Sequence, residues 1–236
     1  MGAECIEPPF RVLYEDNHLI IVSKRAGEIT QGDSTGDTPL PEKIKAYLKE
    51  KYHKPGNVFL GVVHRLDRPV SGLVVFAKTS KALARMNTLF REDQVKKVYH
   101  AIVEQAPTEP IGTLRHWLRK NQKQNKSYIV PQGTAGAKEA ILHYRTLAHS
   151  DRYTLLEVEL ETGRHHQIRT QLSGVGAVIR GDLKYGAKRS LPDGSISLHA
   201  RSISFVHPVT KEPLTVVAPY PSADKLWQVF EEINNL

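Results

Sequence analysis

The sequence predicts an α+β fold: a large, mainly antiparallel sheet flanked by helices. Three observations predict it. Eight runs of alternating or β-branched apolar residues outnumber four helical patterns. Those runs do not alternate strand with helix, as a parallel βαβ sheet would require. The 236 residues, 40% hydrophobic and 25% charged, suffice for one sizeable core, so a single domain over 1–236 with two sub-lobes sharing a sheet is expected.

Taken in order, strands are expected at 11–14, 19–22, 58–63, 73–77, 97–104, 140–147, 153–160 and 197–206. Pro41 suits the first turn of a helix that lines up Ile44, Tyr47 and Leu48. Ser80 is expected to cap a second helix whose inner face carries Leu83, Met86 or Asn87, and Phe90. A third helix over 165–173, stopped by Gly174, would place His165, Arg169 and Leu172 on one face. A fourth covers 223–233. Gly, Pro and Ser mark loops at 32–38, 54–56, 106–112 and 132–136. No internal repeat or low-complexity segment interrupts this order.

Composition excludes several classes. There is no apolar run of about 18 residues for a membrane-spanning helix. The opening MGAECIEPPF lacks the basic and apolar segments of a secretory signal. A single cysteine, Cys5, excludes an internal disulfide framework and a multi-cysteine zinc site, so a reducing, cytoplasmic setting is expected. The 33 basic and 25 acidic residues give a net charge of +8, which favours a polyanionic partner through counterion release.

The sharpest stretch is residues 61–78, GVVHRLDRPVSGLVVFAK, where His64, Arg65, Asp67, Arg68 and Ser71 sit between two apolar strands. A strand–loop–strand layout holds reactive groups at the rigid edge of a sheet. Arg65 and Arg68 flank Asp67, and positive charge favours its ionised form, which can act as nucleophile or general base. Residue types alone favour a solvated loop or a structural ion pair.

The whole string resembles the RluA-type pseudouridine synthases: His64-Arg65-Leu66-Asp67, then Ser71-Gly72, then a strand ending Ala77-Lys78. Val70 stands where that family often has Thr. Further resemblances follow in register: Lys97-Val98-Tyr99; Thr162-Gly163-Arg164-His165-His166-Gln167-Ile168-Arg169; Gly181-Asp182; Tyr185-Gly186; Leu198-His199-Ala200; and His207-Pro208. Leu13-Tyr14-Glu15-Asp16 and Ile20-Ile21-Val22-Ser23-Lys24 look like the start of the family's catalytic domain. The resemblance runs from about 12 to 213. It implies the pseudouridine synthase fold and isomerisation of uridine to pseudouridine within structured ribosomal or transfer RNA.

The same resemblance assigns roles. Asp67 would be the catalytic carboxylate, acting at C1′, at C6 or on the 2′ proton. Arg169 would be its ion-pair partner, with Arg164 the rival. A carboxylate taken out of water needs such a fixed positive fork. Tyr99, by default a core aromatic, would stack on the target base and accept or relay the C5 proton. Arg65, otherwise a surface charge, would fill the place of the flipped uridine, since extrusion costs a few kcal/mol. Leu198 would wall the uracil pocket and keep water off the detached ring.

Other candidates rest on residue types. His64, His165 and His166 read as hydrogen-bonding scaffold or RNA contacts, because neither His-Glu-x-x-His nor Cys-x-x-Cys spacing occurs; no metal is expected. Arg115, Arg119, Lys120, Lys123 and Lys126, beside Trp117, form either a solvated hairpin or an RNA surface, and the mix of cations with an aromatic suits RNA. The isomerisation moves no electrons and loses no group, so no cofactor is expected, and neither GxxxxGK[ST] nor GxGxxG is found. A catalytically inactive RNA-binding module and a metal-dependent RNA hydrolase are the competing readings. The catalytic resemblance starts within the first dozen residues, so no separate N-terminal S4 domain is expected. Target choice would then fall to 115–126 and the loops 32–38 and 186–194. No obligatory protein partner is expected, and the family's usual state is a monomer.

Overall fold

A computed structural model describes residues 9–32 and 36–234. It consists of eleven strands and four α-helices in the order β1 (Arg11–Glu15), β2 (Leu19–Lys24), α1 (Leu40–Lys51), β3 (Gly61–Val62), β4 (Ser71–Ala77), α2 (Ser80–Arg91) and β5 (Lys96–Val103). There follow β6 (Ile111–Asn121), β7 (Lys126–Val130), β8 (Lys138–His149), β9 (Thr154–Leu160), α3 (Gln167–Gly174), the 3-10 turn Leu183–Tyr185, β10 (Leu198–Val206), β11 (Pro213–Val217) and α4 (Lys225–Asn234). All strands join one sheet in the order β1-β2-β4-β10-β5-β9-β8-β6-β7, with β3 added to β4 and β11 to β10. Helices on a mixed but mainly antiparallel sheet make this the expected α+β class.

Among the described residues the one parallel pairing, β4 with β10, is where the two halves of the sheet meet: Ser71 faces His199 and Gly72 faces Ala200. Gly72 has φ +116°, and a Cβ there would lie 2.4 Å from the backbone N and O of Ala200. Only glycine permits this approach. β4 is buried along its whole length, SGLVVFA, because β2 and β10 flank it and helices and loops cover it. Its run of β-branched and aromatic residues is what a strand covered on both faces demands. The main core gathers Leu19–Val22, Leu73–Ala77, Ile44, Leu48, Met86, Leu156, Val158 and Ile168. A smaller cluster, Ile102, Ala148, Leu155, Tyr220, Trp227 and Phe230, lies where α4 packs on β8.

Several local expectations need correction. The expected strand 58–63 shortens to Gly61–Val62. The cap of α2 is Thr79, whose side chain accepts the Ala82 N–H at 3.1 Å; Ser80 is the first helical residue. Helix α3 starts at Gln167, because His166 is left-handed at φ 52°, so His165 precedes the helix and does not share a helical face with Arg169. Strands β6, β7 and β11 were not anticipated, and β6 takes the end of the expected 106–112 loop. Cys5 and residues 33–35 of the 32–38 loop lie outside the described residues.

Candidate active site

Asp67 sits in the loop 63–70 that joins β3 to β4. The loop is held from below by Lys24, whose side chain is 1% exposed and donates to the carbonyls of Arg25, Arg68 and Val70 at 3.0, 3.1 and 2.6 Å. Burial lowers the Lys24 pKa to about 8. The main chain closes the loop further, with Val70 N–H donating to Asp67 O at 3.0 Å. Asp67 is left with its side chain 32% exposed at the rim of a cleft.

The cation on that carboxylate comes from 102 residues away. Arg169, in the second position of α3 past its first residue, donates from Nη1 to Asp67 Oδ2 at 3.1 Å. Its other edge is held by Asp182, with Nε and Nη2 donating to the two carboxylate oxygens at 2.7 and 2.8 Å. Asp182 is 1% exposed and Arg169 is 5% exposed. Burial works against the Arg169 charge, but the bonds to Asp182 outweigh it and hold the guanidinium pKa above its ordinary value. The guanidinium is thus fixed by one carboxylate and aimed at the other.

The cleft that these groups line is small, about 90 Å³, with Leu66, Val70, Leu160, Ile168 and Leu198 as its apolar walls and Tyr99 beside them. Leu198 is 3% exposed. Tyr99, on β5 opposite Ala200 of β10, has its phenol pKa raised by burial and then by the Asp67 charge, so it stays protonated at neutral pH. Larger grooves exist elsewhere, including one of about 530 Å³ along β10 and β11, but neither Asp67 nor Arg169 lines it.

His166 makes a second contact with the Asp67 carboxylate. Its Nε2 lies 3.4 Å from Asp67 Oδ2, and its Nδ1 lies 2.9 Å from the Tyr185 hydroxyl, which accepts the Ser127 N–H at 2.9 Å. Burial, then Arg169 and His165, push the His166 pKa down to about 2, so the ring is neutral. The ring stacks on His165 at 3.8 Å. The Tyr185 ring also lies under Arg169 at 5.1 Å and under Lys126 at 5.0 Å.

The remaining candidates fall into three positions. Arg65 is exposed at the cleft mouth and donates to Gln31, while Arg68 pairs with Asp37 at 2.6 Å. Arg164 lines the cleft but its Nε donates to the Glu139 carbonyl at 2.7 Å, so Arg169 and not Arg164 holds Asp67. His64 accepts the Val75 N–H at 3.1 Å and stacks on Phe90, which makes it part of the scaffold beneath β4. Its pKa falls to about 4 through burial and then Lys97. Arg119, Lys120 and Lys123 are exposed on the β6–β7 hairpin, Lys126 folds over Tyr128 and Tyr185, and Arg115 pairs with Glu139 at 2.8 Å. The hairpin leans on α3, so its cations neighbour His165 and the cleft. Asp182, Tyr185 and Ser127 received no role from sequence reasoning. The Gly181-Asp182 and Tyr185-Gly186 pairs were visible, but nothing in them points to an arginine 13 residues earlier. Among the described residues, no three His, Cys, Asp or Glu side chains are grouped to hold a metal ion.

Comparison with known proteins converges. Residues 18–174 match the family model described as RNA pseudouridylate synthase. The chain is 34% identical over 214 residues to an uncharacterized RNA pseudouridine synthase, YhcT, of Bacillus subtilis, covering 89% of this chain and 68% of that protein. It is 31% identical over 223 residues to ribosomal large subunit pseudouridine synthase D of Zymomonas mobilis, covering 90% and 70%. It thus spans about two thirds of the length of these curated relatives. In fold it is similar to human RNA pseudouridylate synthase domain containing 4, with a TM-score of 0.77 at 23% identity over 95% of this chain and 93% of that one.

Proposed function

The chain belongs to the RNA pseudouridylate synthase family, isomerases of RNA, and from that premise we propose that it converts particular uridines of structured ribosomal or transfer RNA by base flipping and an Asp67-dependent rearrangement. The observation that carries this reading is the carboxylate of Asp67, held at 3.1 Å by an arginine that is itself locked to Asp182, at the mouth of the small cleft.

The chemistry follows from that placement. The reaction breaks the N1–C1′ bond, turns the uracil and rejoins it through C5, so every atom of the substrate is retained. Arg169 holds the Asp67 carboxylate oriented for attack at C1′ or C6, or for removal of the 2′ proton. The apolar walls around Leu198 confine the free ring and exclude water, which would otherwise hydrolyse the intermediate. Tyr99, protonated, stacks on the ring and sits where a C5 proton must be moved. Arg65, exposed at the mouth and donating to Gln31, would enter the gap left by the flipped nucleotide. Lys120, Lys123 and Lys126 supply phosphate contacts beside the cleft.

In this reading RNA is the partner, the acting unit is a cytoplasmic monomer with one catalytic domain, and no cofactor takes part. The test is pseudouridine mapping of total RNA from cells with and without the gene, followed by conversion of the affected RNA by purified protein in the presence of a metal chelator. Loss of defined sites in the deletion and chelator-resistant conversion in vitro are expected. Identical maps, with binding but no conversion in vitro, would instead establish a non-catalytic RNA-binding module.

A further inference from the structure

We infer that His166 is a positioning residue for the catalytic carboxylate, a neutral imidazole whose Nε2–H is turned onto Asp67 by a hydrogen bond from Tyr185 to its Nδ1. This rests on the isomerase reading above and adds a residue to its machinery.

The argument starts from the backbone. His166 adopts a left-handed conformation, φ 52°, immediately before α3. Non-glycine residues rarely take it, and those that do are held there by their surroundings. The cost is offset by what the ring then reaches. One nitrogen contacts Asp67 Oδ2 at 3.4 Å and the other the Tyr185 hydroxyl at 2.9 Å. His166 is 8% exposed, so neither nitrogen can turn to bulk water.

The proton inventory then selects one tautomer. Tyr185 accepts from the Ser127 N–H, which leaves its own O–H to donate. The hydroxyl hydrogen of Thr170 is spent on the His166 carbonyl at 2.9 Å, so it does not compete as a donor to Nδ1. With Tyr185 donating to Nδ1, the imidazole hydrogen stands on Nε2, facing the carboxylate. The opposite tautomer would set a nitrogen lone pair against an ionised oxygen. A charged ring is opposed by burial and then by Arg169, the stacked His165, Lys184 and Lys120, with Asp67 facing it at 3.4 Å. At 3.4 Å the contact is long for a hydrogen bond, as active-site contacts often are before substrate closes the cleft. His166 and Arg169 thus address the same oxygen, Oδ2, and leave Oδ1 for the substrate.

Three variants and one spectrum test this. Asn tolerates the left-handed backbone but is too short to reach Asp67, whereas Gln extends to nearly the position of Nε2. His166→Asn is expected to lower single-turnover kcat about tenfold, the scale of one hydrogen bond to a charged group, with RNA affinity unchanged. His166→Gln should restore most of that loss, and Tyr185→Phe should lower kcat in the same direction. The imidazole 15N shifts of the wild-type protein should show protonated Nε2 and bare Nδ1. A wild-type kcat in His166→Asn, or an Nδ1-protonated ring, overturns the proposal. Should His166→Asn fail to fold, Tyr185→Phe at wild-type kcat overturns it equally. If wild-type protein converts no uridine, the isomerase reading is what fails, and the 15N spectrum still decides the tautomer.

Discussion

Replacing Asp182 by alanine removes the group that aims Arg169. The two charged hydrogen bonds at 2.7 and 2.8 Å disappear, and a guanidinium only 5% exposed keeps one bond, 3.1 Å to Asp67. Removing one member of a buried ion pair costs about 3–5 kcal/mol, because the remaining charge is stranded away from water. In a chain of this size about 1 kcal/mol corresponds to roughly 2–4 °C in Tm, so a fall of roughly 6–20 °C is expected. Urea unfolding at neutral pH, compared at constant m-value, measures the difference directly. Arg169→Met in the Asp182→Ala background should recover part of the loss, since an apolar side chain tolerates the site better than an unpaired cation. A loss below about 1 kcal/mol would refute the idea that this pair is the buried anchor of the site.

Gly72→Ala should prevent close pairing of β4 with β10, because a Cβ meets the Ala200 backbone at 2.4 Å from a positive φ; a destabilisation of at least about 3 kcal/mol in urea unfolding is expected. Glu15 offers a pH test. Burial opposes its charge, but Lys51 at 2.8 Å and Lys78 at 2.9 Å lower its pKa from 4.5 to about 2. Its folded value lies below its unfolded one, so its stabilisation is full above pH 4.5 and is lost as pH falls towards 2. The stability gap between wild type and Glu15→Gln, about 1–2 kcal/mol at neutral pH, should therefore close over that window in unfolding curves taken at successive pH values. Lys120→Gln combined with Lys123→Gln should weaken RNA binding and lower the slope of log affinity against log salt by about 1.5, two phosphate contacts' worth; an unchanged slope would take the hairpin out of the interface.

What was legible in the sequence follows from how local each signal is. The loop around Asp67 could be placed because two apolar runs bracket a polar cluster, and β4 reads as a buried strand from SGLVVFA alone. The α+β class followed from counting such runs. Strands β6 and β7 escaped because only Leu118 and Ser127 of their residues are buried, so no apolar alternation marks them; they are strands through pairing with β8 and each other. Strand β11 begins at a proline and survives as an edge on β10, a place where sequence alone argues against a strand. The start of α3 was misplaced by two residues because the left-handed turn at His166 is imposed by tertiary contacts and has no glycine to announce it.

The site shows the same division. The resemblance pointed to Asp67, Arg169, Tyr99, Arg65 and Leu198, and the fold gathers Asp67, Arg169, Tyr99, Leu198 and the Arg65 backbone loop at one cleft. Asp182, Tyr185 and Ser127 could not be given roles from sequence, because each acts by holding another side chain across a long loop. Of the cations near Asp67 in sequence, Arg65 reaches Gln31 and Arg68 reaches Asp37, whereas Arg169, the partner that the resemblance implies, contacts the carboxylate.

The account turns on the chemistry of one carboxylate, and Asp67→Asn measures it most directly. The substitution preserves shape and removes the charge. Under single-turnover conditions on a mapped target RNA, the variant should bind with wild-type affinity and form no pseudouridine. Conversion by Asp67→Asn at the wild-type rate would contradict the assignment of that carboxylate as the catalytic group.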